Sequence, residues 1–195
     1  MTYPYPPNLP TGVSNDVMPP LVDLRRDFST DTPFLKAITD HFVKELERGL
    51  TEQGGDIPMN VTWVTGFPTG DEQGRYITLD LGGTNLRVCD VVLASEKSEF
   101  ESFQQKYKLP GYLRSAPATD LWDFVADCLG SFLHEHHQGV QSSNKLPLAF
   151  CFSYPVEQKN INSGILQRWT KDFRCPGVEG EDVVAQLETA LEKKV

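Results

Sequence analysis

The chain has no basic run longer than two or three residues, and its 18 Lys and Arg are outnumbered by 27 Asp and Glu, for a formal charge of −9 at pH 7. Contact with a phosphate backbone needs a clustered positive face, so nucleic acid is not an expected partner. Long hydrophobic runs are missing too, since no apolar stretch approaches the roughly 20 residues that span a bilayer. The opening MTYPYPPNLPTG has neither a charged n-region nor an apolar h-region. These gaps lead to the expectation of a soluble, cytoplasmic protein with no membrane span. Cysteine is scarce, and no CxxC occurs among Cys89, Cys128, Cys151 and Cys175. They read as reduced, mostly buried small side chains. His134, His136 and His137 in HEHH have at most one pair on a helix face, the pattern of a polar helix end rather than a zinc site.

What is present suffices for a packed core: 195 residues, 39% of them apolar. Residues 1–31 hold many of the prolines and little periodicity, and read as an extended tail. Thr32 and Pro33 supply a cap and a first-turn residue for a helix to about Leu50, with Phe34, Ile38 and Phe42 on its apolar stripe. From Tyr76 the period changes, predicting strands over 76–81 and 86–93 joined by a Gly82-Gly83 hairpin turn. The stretch 95–118 reads as irregular. Asp120 then caps an amphipathic helix, and the apolar run LPLAFCFSYPV at 146–156 suits a fully buried central strand. Further strand or hairpin over 164–173 and a helix over 181 to about 194 complete the reading.

Two groups of residues can do chemistry. In Ile77-Thr-Leu-Asp-Leu-Gly-Gly-Thr-Asn-Leu-Arg87, an Asp at the end of an apolar strand is followed by two glycines, a hydroxyl and an amide. Backbone N–H groups around such a bend form an anion cradle, and Asp80 suits Mg²⁺, directly or through water. An ordinary tight turn explains the same spacing equally well. Neither GxxxxGK[ST] nor a GxGxxG opening a helix occurs. The second group, Phe152-Ser-Tyr-Pro155 with Trp169-Thr-Lys-Asp-Phe173, offers hydroxyls and an ammonium beside aromatic faces, which suits a sugar. Taken singly, Ser153 is a strand-end polar residue and Lys171 a solvated one.

Taken together, these stretches resemble the eukaryotic hexokinases, most closely the fungal glucokinases. The resemblance runs through PTGDEQGRYITLDLGGTNLRVC at 68–89, QKYKLP at 105–110, LWDFVADCL at 121–129, LAFCFSYPVEQ at 148–158, and INSGILQRWTKDF and GVEGEDVV between 161 and 184. It implies an α/β fold of the actin-like ATPase (ribonuclease H-like) type, with a mixed sheet and flanking helices. Residues 32–73 would belong to a large lobe and 74–195 to the small lobe. The implied activity is transfer of a phosphoryl group from ATP to the C6 hydroxyl of glucose or a related hexose. By this match Asp80, Leu81, Gly82, Gly83, Thr84, Asn85, Arg87 and Lys106 would meet Mg-ATP. Ser153, Tyr154, Pro155, Thr170 and Lys171 would meet the hexose, with Lys171 also offsetting charge on the moving phosphoryl group.

The chain departs from the family pattern at Leu86 and Tyr154, each in place of the usual Phe, and at Asp172 in place of the usual Gly. Members of the family run to more than twice this length and place a general-base Asp in an Asn-Asp-Thr triplet, which these 195 residues do not contain. The expectation is therefore a truncated form, inactive alone. The alternatives are a sugar-sensing protein without catalysis and an inert product.

Overall fold

The computed structural model describes residues 12, 14–52, 55–94, 100–136 and 146–194. Its Cα positions fall into two compact units, Met1–Met59 and Asn60–Val195. The first unit holds two helices, α1 (Met18–Asp27) and α2 (Thr32–Thr51). Helix α1 lies where an extended tail was expected. Pro19 and Pro20 read as breakers, yet they occupy the first turn, where a missing N–H costs nothing and the fixed φ suits the helix. Helix α2 matches its expected span, but its cap is Asp31, whose carboxylate accepts from the Phe34 N–H at 2.8 Å.

The second unit begins at Asn60, ahead of the expected boundary at Gly74. Two hydrogen bonds hold the connecting segment to it: the Trp63 indole donates to the Gln158 carbonyl, and the Gln167 amide to the Asn60 side chain. Strands β1 (Gly74–Leu81), β2 (Asn85–Leu93), β3 (Phe100–Lys108) and β4 (Leu148–Phe152) form a mixed sheet in the order β3-β2-β1-β4. The first two pairs are antiparallel, and β4 runs parallel to β1. Cross-strand partners share a face. Ile77, Leu79 and Leu81 therefore align with Asp90, Val88 and Leu86 on the inner face, while Asp80 aligns with Arg87 on the outer one.

Helix α3 (Ala118–His136) covers the inner face with Leu121, Trp122, Val125, Leu129 and Phe132. It starts at Ala118, so Asp120 sits in the first turn and not at the cap, still well placed for the positive helix end. At the other end, the His136 ring lies 4.3 Å from Phe103 and 5.0 Å from Phe132 between centroids, and the ring nitrogen meets the Gln105 side chain. His137 lies outside the described residues. No group of three His, Cys, Asp or Glu able to hold a metal is found among the described residues. Likewise, no described helix is long and apolar enough to cross a membrane. All four cysteines are free. Cys128 and Cys175 are buried, burial lifting the Cys128 thiol to about 11, whereas Cys151 is exposed.

Two strands differ from their reading. Strand β3 falls in the stretch expected to be irregular, because FESFQQKYK lacks β-branched residues and lies at a solvated edge; pairing with β2 overrides its composition. The apolar run containing β4 occupies the opposite edge and is half exposed, where a buried central strand was expected. Its inward residues Phe150 and Phe152 do meet Trp122, edge to face or tilted, at 6.2 Å.

A hairpin of β5 (Val156–Asn160) and β6 (Ser163–Leu166) follows, so of the strand or hairpin expected over 164–173 the structure has the second arm of a hairpin, which ends at Leu166. Helix α4 (Val183–Lys194) then packs against α3 and β6. Asp182 joins these elements, accepting from the Ser163 hydroxyl at 2.8 Å and from the N–H groups of Gly164 and Val184 at 3.1 and 3.0 Å. Burial pushes its carboxyl up, but those hydrogen bonds outweigh burial and hold it below the usual carboxylate value. A lowered folded value adds stability above the ordinary carboxylate range that is lost as pH falls through the folded value. Asp182→Asn should cost about 1–2 kcal/mol at pH 7. It should also flatten the acid limb of a thermal-midpoint profile between neutral and acid pH; an unchanged limb would refute this role.

Candidate functional site

The turn between β1 and β2 is short because both strands are long and in strict register up to Leu81 and Leu86. Its Gly82 N–H donates to the Asn85 carbonyl at 3.0 Å, and its Thr84 carbonyl accepts from Leu109. Neither Gly82 nor Gly83 lies in the left-handed region, so the hairpin does not need glycine for its φ values, contrary to the turn chemistry expected from the pair. The glycines act through space. A Cβ on Gly82 would meet nothing nearer than the Asn85 carbonyl at 3.6 Å, leaving open room above the backbone. On Gly83 it would press on Lys171, at 3.3 Å from both Cβ and Cδ. Among the described residues, no protein acceptor meets the N–H groups of Gly83 and Thr84. Two donors are thus left for an incoming anion.

Asp80, at the end of β1, is paired through Oδ2 with Arg87 Nη1 at 2.7 Å, and both side chains are partly exposed. Lys106 stands opposite Arg87 on β3, so Asp80, Arg87 and Lys106 form one row across the outer face. Leu81 turns inward and is fully buried, which removes its side chain from any ligand. The Thr84 hydroxyl accepts from the Asn85 amide at 2.7 Å, ordering two of the polar groups on the rim. With one carboxylate oxygen committed to Arg87, the donor set suits a magnesium ion held through water and phosphate oxygens, as this ion usually is.

Across from the turn, Ser153, Tyr154 and Pro155 follow β4, and Thr170 with Lys171 follows β6. Phe173 N–H donates to the Thr170 carbonyl at 3.1 Å, while Lys171 and Asp172 have φ of 56° and 63°. Two successive left-handed residues inside such a hydrogen bond mark a type I′ turn. It aims Lys171 back at the glycines. The lysine Nζ donates to the Ser153 carbonyl at 2.7 Å and lies 4.9 Å from the Tyr154 ring centroid.

Tyr154 differs from its expected place. At 6% exposure it belongs to an aromatic cluster with Phe152, Trp169 and Phe173, and its hydroxyl donates to the Gly82 carbonyl at 3.3 Å. Burial pushes its phenol well up, so it stays a neutral donor. It supports the ledge and does not line it.

Sequence reasoning missed Arg114, whose Nε donates to the Gly83 carbonyl at 3.3 Å, and Glu179, whose carboxylate accepts from the Trp169 N–H. For Glu179 the signal available was its place in the matching stretch GVEGEDVV; Arg114 falls between the matching stretches. Asp172 is exposed, and its left-handed φ is one that glycine adopts without cost. Asp172→Gly should therefore stabilise the unit by about 0.5–1 kcal/mol. Urea unfolding would read the gain, and a loss would show that the aspartate side chain is needed.

A one-faced mixed α/β sheet with a phosphate-type hairpin and a polar ledge beside it defines a small lobe of the actin-like ATPase class. The chain belongs to the hexokinase family: the family model described as Hexokinase matches residues 20–195. A hexokinase of Emericella nidulans is 51% identical over 167 residues, 86% of this chain and 34% of that protein. Hexokinase-2 of Saccharomyces cerevisiae is 45% identical over 184 residues, 93% of this chain and 37% of its own length. A solved hexokinase of Schistosoma mansoni, complexed with glucose, superposes with a TM-score of 0.79 at 32% identity, covering 91% of this chain and 40% of that one. The chain thus spans between about a third and two fifths of the length of these relatives.

Proposed function

We propose that this chain carries the phosphate-gripping turn and part of the sugar ledge of an ATP-dependent hexokinase. The reaction is transfer of the γ-phosphoryl group of Mg-ATP to the C6 hydroxyl of glucose or a related hexose, the first step of glycolysis. One observation carries this reading: the stem of Lys171, on the ledge, lies against Gly83, in the turn, which brings the two candidate subsites together at one lysine. In this reading the Gly83 and Thr84 N–H groups grip phosphate oxygens, with Gly82 leaving room and Asn85 ordering the rim. Arg87 and Lys106 would add positive charge along the approach, and Asp80 would hold Mg²⁺, directly or through water. When bound, the ion would offset phosphate charge. Ser153 and Thr170 offer hydroxyls to the sugar beside Pro155, and Lys171 offsets charge on the reacting oxygens. Residues 74–195 serve as the small lobe, and residues 32–73 belong to the large one.

Positioning supplies most of the catalysis in phosphoryl transfer, and the 195 residues contain no Asn-Asp-Thr triplet to provide a base. The pure chain should therefore bind in the millimolar range and not turn over. An NMR titration tests this. Mg-ATP should move the Gly83 and Thr84 amide signals, glucose should move those of Ser153 and Thr170, and a coupled assay should detect no glucose 6-phosphate. Tight glucose binding with no response to nucleotide would favour a sugar-sensing role, the reading that the missing triplet alone supports. Silence at all four residues would refute both.

A further inference from the structure

We propose that Gly83 is a positioning residue for Lys171: its missing Cβ forms the slot in which the lysine stem lies. The inference rests on the hexokinase reading only for its functional meaning, since the contact itself needs no ligand. Gly83 has no backbone reason to be glycine, because its φ lies outside the left-handed region. It has a steric one. An added Cβ would stand 3.3 Å from both Cβ and Cδ of Lys171 and 3.8 Å from Cγ, so it would press on the stem along its length and not on a mobile tip. Both sides are tethered. Lys171 is held from behind by the type I′ turn and in front by the Ser153 carbonyl at 2.7 Å. Gly83 is held by the Arg114 guanidinium on its carbonyl, and its neighbour Gly82 by the Tyr154 hydroxyl.

Tyr154 completes the slot. Its ring face lies 4.9 Å from the ammonium, while its hydroxyl reaches the Gly82 carbonyl, so one buried side chain relates the lysine to the glycine turn. An anion on the Gly83 and Thr84 N–H groups and a sugar on the ledge would then meet an ammonium whose place the glycine backbone has already set.

The test uses the pure chain with no nucleotide or sugar, so its failure is separate from that of the binding titrations above. Lys171 is acylated with an N-hydroxysuccinimide ester, and its rate is read by peptide mass spectrometry against Lys159 and Lys193. Gly83→Ala should raise the relative rate at Lys171 about fivefold, the change in population expected when one ordinary hydrogen bond is lost. Gly82→Ala, whose Cβ meets only ordinary contacts, should leave that rate unchanged. A structural need for glycine in the turn is separated by a double-mutant cycle. The fall in thermal midpoint caused by Gly83→Ala should disappear in a Lys171→Gly background, where both opposing atoms are gone. An unchanged labelling rate in folded Gly83→Ala would overturn the proposal. So would an undiminished fall in midpoint, or failure to fold, in the double variant.

Discussion

Trp122→Ala should lower the unfolding free energy of the Asn60–Val195 unit by about 3–5 kcal/mol. The indole is 2% exposed and stands where three elements meet. It grows from α3, its edge and face meet Phe150 and Phe152 of β4, and its Nε1 donates to the Gln186 side chain of α4 at 2.7 Å. Truncation removes the packing of a large aromatic and leaves the Gln186 carbonyl to seek water, so the cavity and hydrogen-bond losses add. Among the described residues β4 pairs only with β1, at the edge of the sheet, so it relies on the packing of its inward face. The thermal midpoint should fall by about 10 °C, with hydrogen exchange rising first in β4 and α4. Trp122→Phe, which keeps an aromatic but not the donor, should cost less than half as much. Equal costs for the two variants would show that the hydrogen bond, and not the packing, makes the junction.

Much of the sheet could be read from residue pattern. Tyr76 to Leu81 and Leu86 to Leu93 alternate so regularly that β1 and β2 differ from their expected limits by two residues at most. Where the reading failed, tertiary pairing or position had overruled local composition. FESFQQKYK became β3 because β2 offered a ladder, and LPLAFCFSYPV looked central because its residues are apolar on both faces, although its outer face carries the exposed Cys151. Pro19 and Pro20 show a third cause. The same residue that stops a helix from within starts one at its first turn, and only the chain geometry distinguishes the two.

The candidate site divides in the same way. Asp80, Gly82, Gly83 and Thr84 could be located from their order alone, and so could the Trp169 to Phe173 segment. Their juxtaposition could not. Nothing in the spacing places Lys171 against Gly83, because the strand crossing that brings them together depends on β4 lying parallel beside β1. Tyr154 illustrates the limit at one residue. A tyrosine beside a serine reads as a ligand contact, but it is drawn inward by Phe152, Trp169 and Phe173, and only its hydroxyl reaches back to the turn.

Arg75→Met should cost about 1.5–3 kcal/mol at pH 7, because it removes charge-assisted hydrogen bonds to a buried carboxylate. Arg75 grips Asp90 through Nε at 2.9 and 3.1 Å, with Nη2 completing a bidentate pair. Asp90 stands opposite Ile77 on the inner face and its side chain is 8% exposed, whereas that of Arg75 is 39% exposed. The two halves of the pair should therefore respond unequally. Removing the arginine takes charge-assisted hydrogen bonds from a buried carboxylate, but Asp90→Asn leaves a guanidinium that can turn to water, and should cost about 1 kcal/mol. Arg75→Met combined with Asp90→Leu, which replaces the pair with apolar packing, should recover most of the loss at neutral pH. Urea unfolding at neutral pH reads all four chains. If the two single variants cost the same, the pair is a surface contact and not the closure of the inner face.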